Sequence, residues 1–131
     1  MSNKKKIAII LEDVPMNAEV LKDTLISTNL FDEIIIFSKI ESAADYLNNG
    51  NQLPDVLFLD LYFKNDSNDF EHAFTDFMDE FEDQLGSTKI CVVTASEHLR
   101  DFEKVSVYQN IIGIIEKPIT VIKVAEILKK I

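Results

Sequence analysis

The sequence has one cysteine, three glycines and three prolines in 131 residues. A single cysteine, Cys91, excludes an intrachain disulfide. It sits inside an apolar run, where a buried and inert thiol is the expectation. No apolar run approaches the length of a membrane span. Met1 to Lys6 is polar and basic, and the apolar run after it is too short and too β-branched for a secretory leader. Internal repeats, low-complexity tracts and linkers are also missing. Basic residues are scarce where acids are dense: Asp66 to Asp83 contains no lysine or arginine. Net charge is −10 and the pI is near 4.5, which argues against direct binding to nucleic acid or to an anionic membrane. The acidic stretch reads as a solvated helix face and loop rather than as a docking surface. A cytoplasmic protein is the expectation.

What is present is a 47% apolar composition on a chain long enough for one real core. Five apolar runs read as strands: Lys6–Leu11, Glu33–Phe37, Val56–Leu61, Lys89–Thr94 and Ile112–Glu116. They are apolar nearly throughout, as expected of parallel strands covered on both faces by helices. Between them lie amphipathic stretches. Pro15 suits an early helical position, with Val14, Ala18, Leu21 and Leu25 on one inward face. A short helix over Ser42–Leu47 stops near Gly50, which suits a left-handed residue after a helix end. Phe70, Phe74, Phe77, Met78 and Phe81 make a core stripe on a third helix. A fourth covers Leu99–Val107. The last starts after Thr120 as N-cap, with Val121, Val124, Ala125 and Leu128 facing inward. Lys64 to Asn68 reads as a loop. The fold expected is α/β, a doubly wound five-stranded parallel sheet of order 2-1-3-4-5. The expected organisation is a single domain over residues 1–131 with no output domain.

The ends of these runs carry chemistry. The first leads into Glu12-Asp13, the third into Asp60, the fourth into Thr94 and the fifth into Lys117-Pro118. In a sheet of this order, ligands sit beyond the carboxyl ends of strands one and three. Three carboxylates there repel one another unless a cation intervenes, and magnesium answers with its preference for oxygen ligands. Asp60 can act as a nucleophile toward phosphorus. Lys117 can neutralise charge on the transferring group, and Thr94 can donate its hydroxyl to a phosphoryl oxygen. The Lys117–Pro118 bond is a candidate for the cis form. Each residue alone has a plain structural reading. Glu12 and Asp13 equally fit a helix cap, Asp60 a turn, and Thr94 a strand end. The set of four in order on four strands is the specific signal. His72 and His98, each lacking a second nitrogen or sulfur ligand nearby in sequence, read as ordinary surface residues.

On these residues the chain resembles the receiver domain of bacterial two-component response regulators. Glu12-Asp13-Val14-Pro15-Met16-Asn17, Pro54 to Asp60, Thr94-Ala95 and Lys117-Pro118 carry the resemblance, which spans nearly the whole chain. It implies a flavodoxin-like receiver fold and a phosphoacceptor, Asp60. The implied donor is a phosphohistidine on a sensor histidine kinase or histidine phosphotransfer protein. It also implies Mg²⁺ held by Asp13 and Asp60, with Glu12 assisting through water and the Tyr62 backbone carbonyl completing the set. Phosphorylation would then switch binding of a downstream protein or of a second copy of the chain. The implied chemistry is self-modification and autodephosphorylation at Asp60, not enzymatic turnover of an external substrate.

The sequence departs from the family pattern in specific places. Leu61-Tyr62-Phe63-Lys64-Asn65 replaces the Met-Pro pair and later glycine. Ile114 stands where the family has its switch aromatic. Tyr62 and Ser96 are expected to flank the acyl phosphate and set its lifetime. Signalling is expected to leave through the Leu99–Val107 helix, the last strand and the last helix, where Leu99, Phe102, Val105 and Tyr108 read either as apolar contacts or, equally, as core. Two other readings are a degenerate receiver that binds partners without phosphorylation, and a phosphohydrolase with an aspartyl nucleophile. Against the second, Tyr62 stands two residues after Asp60, where such enzymes place an acid/base aspartate. A flavin-binding domain is weaker still, because the loop after the first strand lacks the Ser/Thr/Gly-rich text for a flavin phosphate.

Overall fold

Five apolar segments pair side by side, and their burial ranks them from centre to edge. In the computed structural model, which describes residues 5–60, 70–94, 108 and 110–129, they form one parallel sheet. The strands are β1 (Ile7–Leu11), β2 (Glu33–Phe37), β3 (Val56–Asp60), β4 (Lys89–Thr94) and β5 (Ile111–Glu116), in the order β2-β1-β3-β4-β5. β1 and β3 are buried at every position, whereas the edge strand β2 is half-buried throughout. The fold class and strand order are those expected from the sequence. The second segment is as apolar as the others, and only its place at the edge leaves it partly exposed.

Four described helices cover the two faces. These are α1 (Pro15–Thr28), α2 (Ile40–Asn48), α3 (Phe70–Leu85) and α4 (Val121–Leu128). Ile9, Leu11, Leu57 and Leu59 pack with α2 and α3. Ala8, Ile10, Phe58 and Val93 pack with α1 and α4. Strand residues thus alternate between two cores. Pro15 opens α1, and Gly50 takes a φ of 72° just beyond α2. In α3, Phe77, Met78 and Phe81 are buried while Asp76, Asp79, Glu80 and Asp83 are exposed, so the described acids form a solvated face. Cys91 is fully buried.

β5 carries one irregularity. Ile90 pairs with Ile111 but Cys91 pairs with Gly113, so β5 holds one extra residue at this point. The bulge flips the faces. Ile111 and Ile114 pack with the α2–α3 core, while Ile112 and Ile115 pack with the α1–α4 core.

Two helix-face expectations need correction. Val14 is the N-cap of α1 and 45% exposed, and Val121 is the first residue of α4 and 53% exposed. Both sit at helix starts, where the helical period continues but the side chain is left exposed. The inward face of α4 is Val124, Ile127 and Leu128. Helix α2 is longer than expected by a turn's worth of residues at its start and end together, and α3 continues to Leu85. The expected helix over Leu99–Val107, the Lys64–Asn68 loop, Leu61 at the end of the third strand, His98, and the side chains of Phe70, His72 and Phe74 lie outside the described residues. No helix among the described residues is long and apolar enough to cross a membrane.

Candidate functional site

The register of the three central strands brings their carboxyl ends level. Leu11 pairs with Leu59, so Glu12 and Asp60 follow side by side. Thr94 ends β4 opposite Glu116 of β5, and the next backbone amide, Lys117 N–H, donates to the Thr94 carbonyl at 2.7 Å. That bond extends the β4–β5 ladder by one step and delivers Lys117 to the acids.

The Lys117 ammonium lies between two carboxylates. Its Nζ donates to Glu12 Oε1 at 3.1 Å and to Asp60 Oδ2 at 3.2 Å. Residues 105 and 57 positions away in sequence thus meet at one cation. Glu12 and Asp60 are buried, at 5% and 8% exposure, and Thr94 is almost fully buried. The second oxygen of Glu12 accepts the Val14 amide at 3.2 Å, while Val14, the α1 N-cap residue, makes no side-chain cap bond. Glu12 is therefore not a conventional N-cap; it turns the chain out of β1 and holds Lys117. Asn17, in the first turn of α1, borders a small hollow with Glu12, Asp60 and Val93.

Electrostatics follow from this crowding. Burial, then the neighbouring Asp60 carboxylate, push the Glu12 carboxyl up to about 7, against a downward pull from Lys117. Burial pulls the Lys117 ammonium down, but Asp60 and Glu12 together lift it above its ordinary value. Lys117 stays charged, and the acids share a positive charge that only partly balances them. Carboxylate oxygens of Glu12, Asp13 and Asp60 all lie within 4.8 Å of one another. Three hard oxygen donors around an unbalanced negative charge fit a small divalent cation, and Asp13, half-exposed, opens the group to solvent.

Every expected site residue within the described part reaches this edge: Glu12, Asp13, Asp60, Thr94 and Lys117. The Lys117–Pro118 bond is cis, as expected. Tyr62 and its backbone carbonyl, Ala95 and Ser96 lie outside the described residues, as do Leu99, Phe102 and Val105. Of the two readings of Tyr108 the structure shows the core one: it is buried against the α2–α3 core, with its hydroxyl donating to Asp79 Oδ1 at 3.0 Å. Burial, then this carboxylate, push its phenol up to about 12. Ile114 is half-buried on that same side of the sheet. Sequence reasoning also missed Lys123, whose ammonium donates to the Glu116 and Pro118 carbonyls at 2.9 and 3.0 Å. The available signal was a lysine in the first turn of a helix, an unfavourable place for a cation.

Solved structures match over almost the entire chain. A bacteriophytochrome response regulator, RtBRR, superposes with a TM-score of 0.78 at 21% identity, over 96% of this chain and 77% of its own. A response regulator receiver protein from Dyadobacter fermentans gives 0.74 at 23%, over 95% and 96%. This is the receiver fold. The receiver domain of a sensor histidine kinase from Pseudomonas aeruginosa PAO1 matches at 0.71 and 17%, over 97% of both chains. That receiver has a magnesium ion coordinated in its active site cleft. No family model matches the sequence, and no curated protein matches it significantly.

Proposed function

We propose that the chain is a receiver module that accepts a phosphoryl group on Asp60 and switches partner binding when modified. The observation that carries this is the Lys117 ammonium bridging Glu12 and Asp60 at the carboxyl edge of a 2-1-3-4-5 sheet, with Asp13 beside them. The donor in this reading is a phosphohistidine on a sensor histidine kinase or histidine phosphotransfer protein, encountered in the cytoplasm. The module spans residues 1–131. Its chemistry is self-phosphorylation and autodephosphorylation rather than turnover of a separate substrate.

In this reading a carboxylate oxygen of Asp60 attacks phosphorus. The bond from phosphorus to the donor nitrogen breaks, and its electron pair leaves with the imidazole. Lys117, already within hydrogen-bond range of Asp60, meets the negative charge of the incoming oxygens. Thr94, at the end of the neighbouring strand, supplies a hydroxyl donor to a phosphoryl oxygen. Burial of Asp60 limits water at the acyl phosphate. Asp13 and Asp60, with Glu12 through water and the Tyr62 carbonyl, would hold Mg²⁺, which supplies positive charge toward phosphoryl oxygens when bound.

Incubation with Mg²⁺ and acetyl phosphate, followed by intact-mass measurement, tests this. One phosphoryl adduct is expected, and none in Asp60→Asn. Ile114 in place of the switch aromatic favours one second reading, a receiver that binds partners without being phosphorylated. Absence of both adduct and Mg²⁺ binding would support it. Rapid turnover of phosphate esters would instead indicate a phosphohydrolase.

A further inference from the structure

The loop that carries Lys117 is held by a second lysine. Lys123 Nζ donates to the carbonyl oxygens of Glu116 and Pro118, the residues on either side of Lys117. Thr120 Oγ1, the N-cap of α4, accepts the Lys123 backbone amide at 3.2 Å and so fixes the root of that side chain. A cation in the first turn of a helix opposes the helix dipole, and α4 has no acid there to compensate. Two charge-assisted hydrogen bonds offset that disadvantage. A local preference is thus given up at the helix that follows Lys117, a pattern that marks functional positions.

Lys117 has reason to need this support. Its four-carbon stem is flexible, and its head must meet two carboxylates at once. The Lys117 amide is tied to Thr94 on β4, and the flanking carbonyls are tied to α4 through Lys123. The backbone at Lys117 is therefore held from two sides, and its stem starts from one fixed place.

We propose that Lys123 is a positioning residue for Lys117 and sets the rate at which Asp60 takes a phosphoryl group. This rests on the reading of Asp60 as the phosphoacceptor. Lys123 hydrogen-bonds to the loop carbonyls and not to the acids, so it acts through Lys117.

The test is the time course of the Asp60 adduct with Mg²⁺ and acetyl phosphate, read by intact mass. Lys123→Met should slow it about tenfold, since a displacement near 1 Å can cost up to a hundredfold. Lys123→Arg, which keeps the donors, should recover most of the rate. In a Lys117→Ala background, adding Lys123→Met should cost nothing further, because residues acting through one another are not additive. Should the methionine variant fail to fold, Lys123→Gln, whose shorter amide donates without charge, should give an intermediate rate. A wild-type rate in Lys123→Met or Lys123→Gln overturns the inference, as does a further tenfold loss in the Lys117→Ala background. If wild-type protein takes no adduct, the phosphoacceptor reading falls and this inference with it. If it does and the Lys123 variants match it, only this inference falls.

Discussion

Replacing Glu12 with glutamine should stabilise the protein at pH 8 relative to its behaviour at pH 5. The Glu12 carboxyl goes from 4.5 in the unfolded chain to about 7 in the folded one, through burial first and then through Asp60. Between those values the folded state keeps a proton that the unfolded state has released. Stability therefore falls as pH rises from 4.5 through 7. Above 7 both states are ionised, and the folded state bears the full cost of a buried carboxylate beside another. Each tenfold change in proton affinity is worth about 1.4 kcal/mol, so the cost at pH 8 is about 3 kcal/mol. Glutamine keeps an acceptor for the Val14 amide or for Lys117 and has no charge to bury. About 0.8 kcal/mol of that cost is already present at pH 5, so wild type should lose about 2.5 kcal/mol against the variant between pH 5 and pH 8, or roughly 8 °C in Tm. Urea denaturation of both proteins across that range, with a chelator present, measures it. The difference between the two curves cancels the titration of His72 and His98, which both proteins share. Lys117, lifted above its ordinary value, stays charged throughout. A difference that is flat from pH 5 to pH 8 refutes the electrostatic account of the site.

Two further predictions concern the scaffold. Phe81→Ala, at a side chain 1% exposed whose ring is tilted against Phe77 with centroids 5.1 Å apart, should cost about 3–5 kcal/mol in urea unfolding; a loss below about 1 kcal/mol would mean that α3 is not anchored as described. Tyr108→Phe removes the hydroxyl that binds Asp79 and should cost about 1 kcal/mol. It should also delete a tyrosinate that forms near pH 12 in a spectrophotometric alkaline titration, and an unchanged titration would contradict the assignment.

The parts of the fold that were legible in the sequence share a cause. Ile7–Leu11 and Val56–Leu59 are continuous apolar runs because both faces of a central strand are covered, and polar residues begin where the strands end. The acids, Thr94 and Lys117 could be located by that boundary alone. Features that depend on a distant partner were not legible. Tyr108 fitted a surface contact and the core equally, because Asp79, which binds its hydroxyl, lies 29 residues away. Val14 and Val121 continue a helical stripe, and only the packing around each helix start decides that they are exposed. Nor could the run Ile111-Ile112-Gly113-Ile114-Ile115 reveal a change of face, since its isoleucines suit either core.

That odd residue in β5 divides the strand into two parts with different tolerances. Ahead of it, a residue gained or lost would be taken up in the approach to the sheet. Behind it, the count is rigid: four paired steps run from Gly113 opposite Cys91 to Glu116 opposite Thr94, and Lys117 comes next. The last stretch of β5 is a ruler laid against β4, and a single deletion within it would carry the ammonium one step out of reach of the acids.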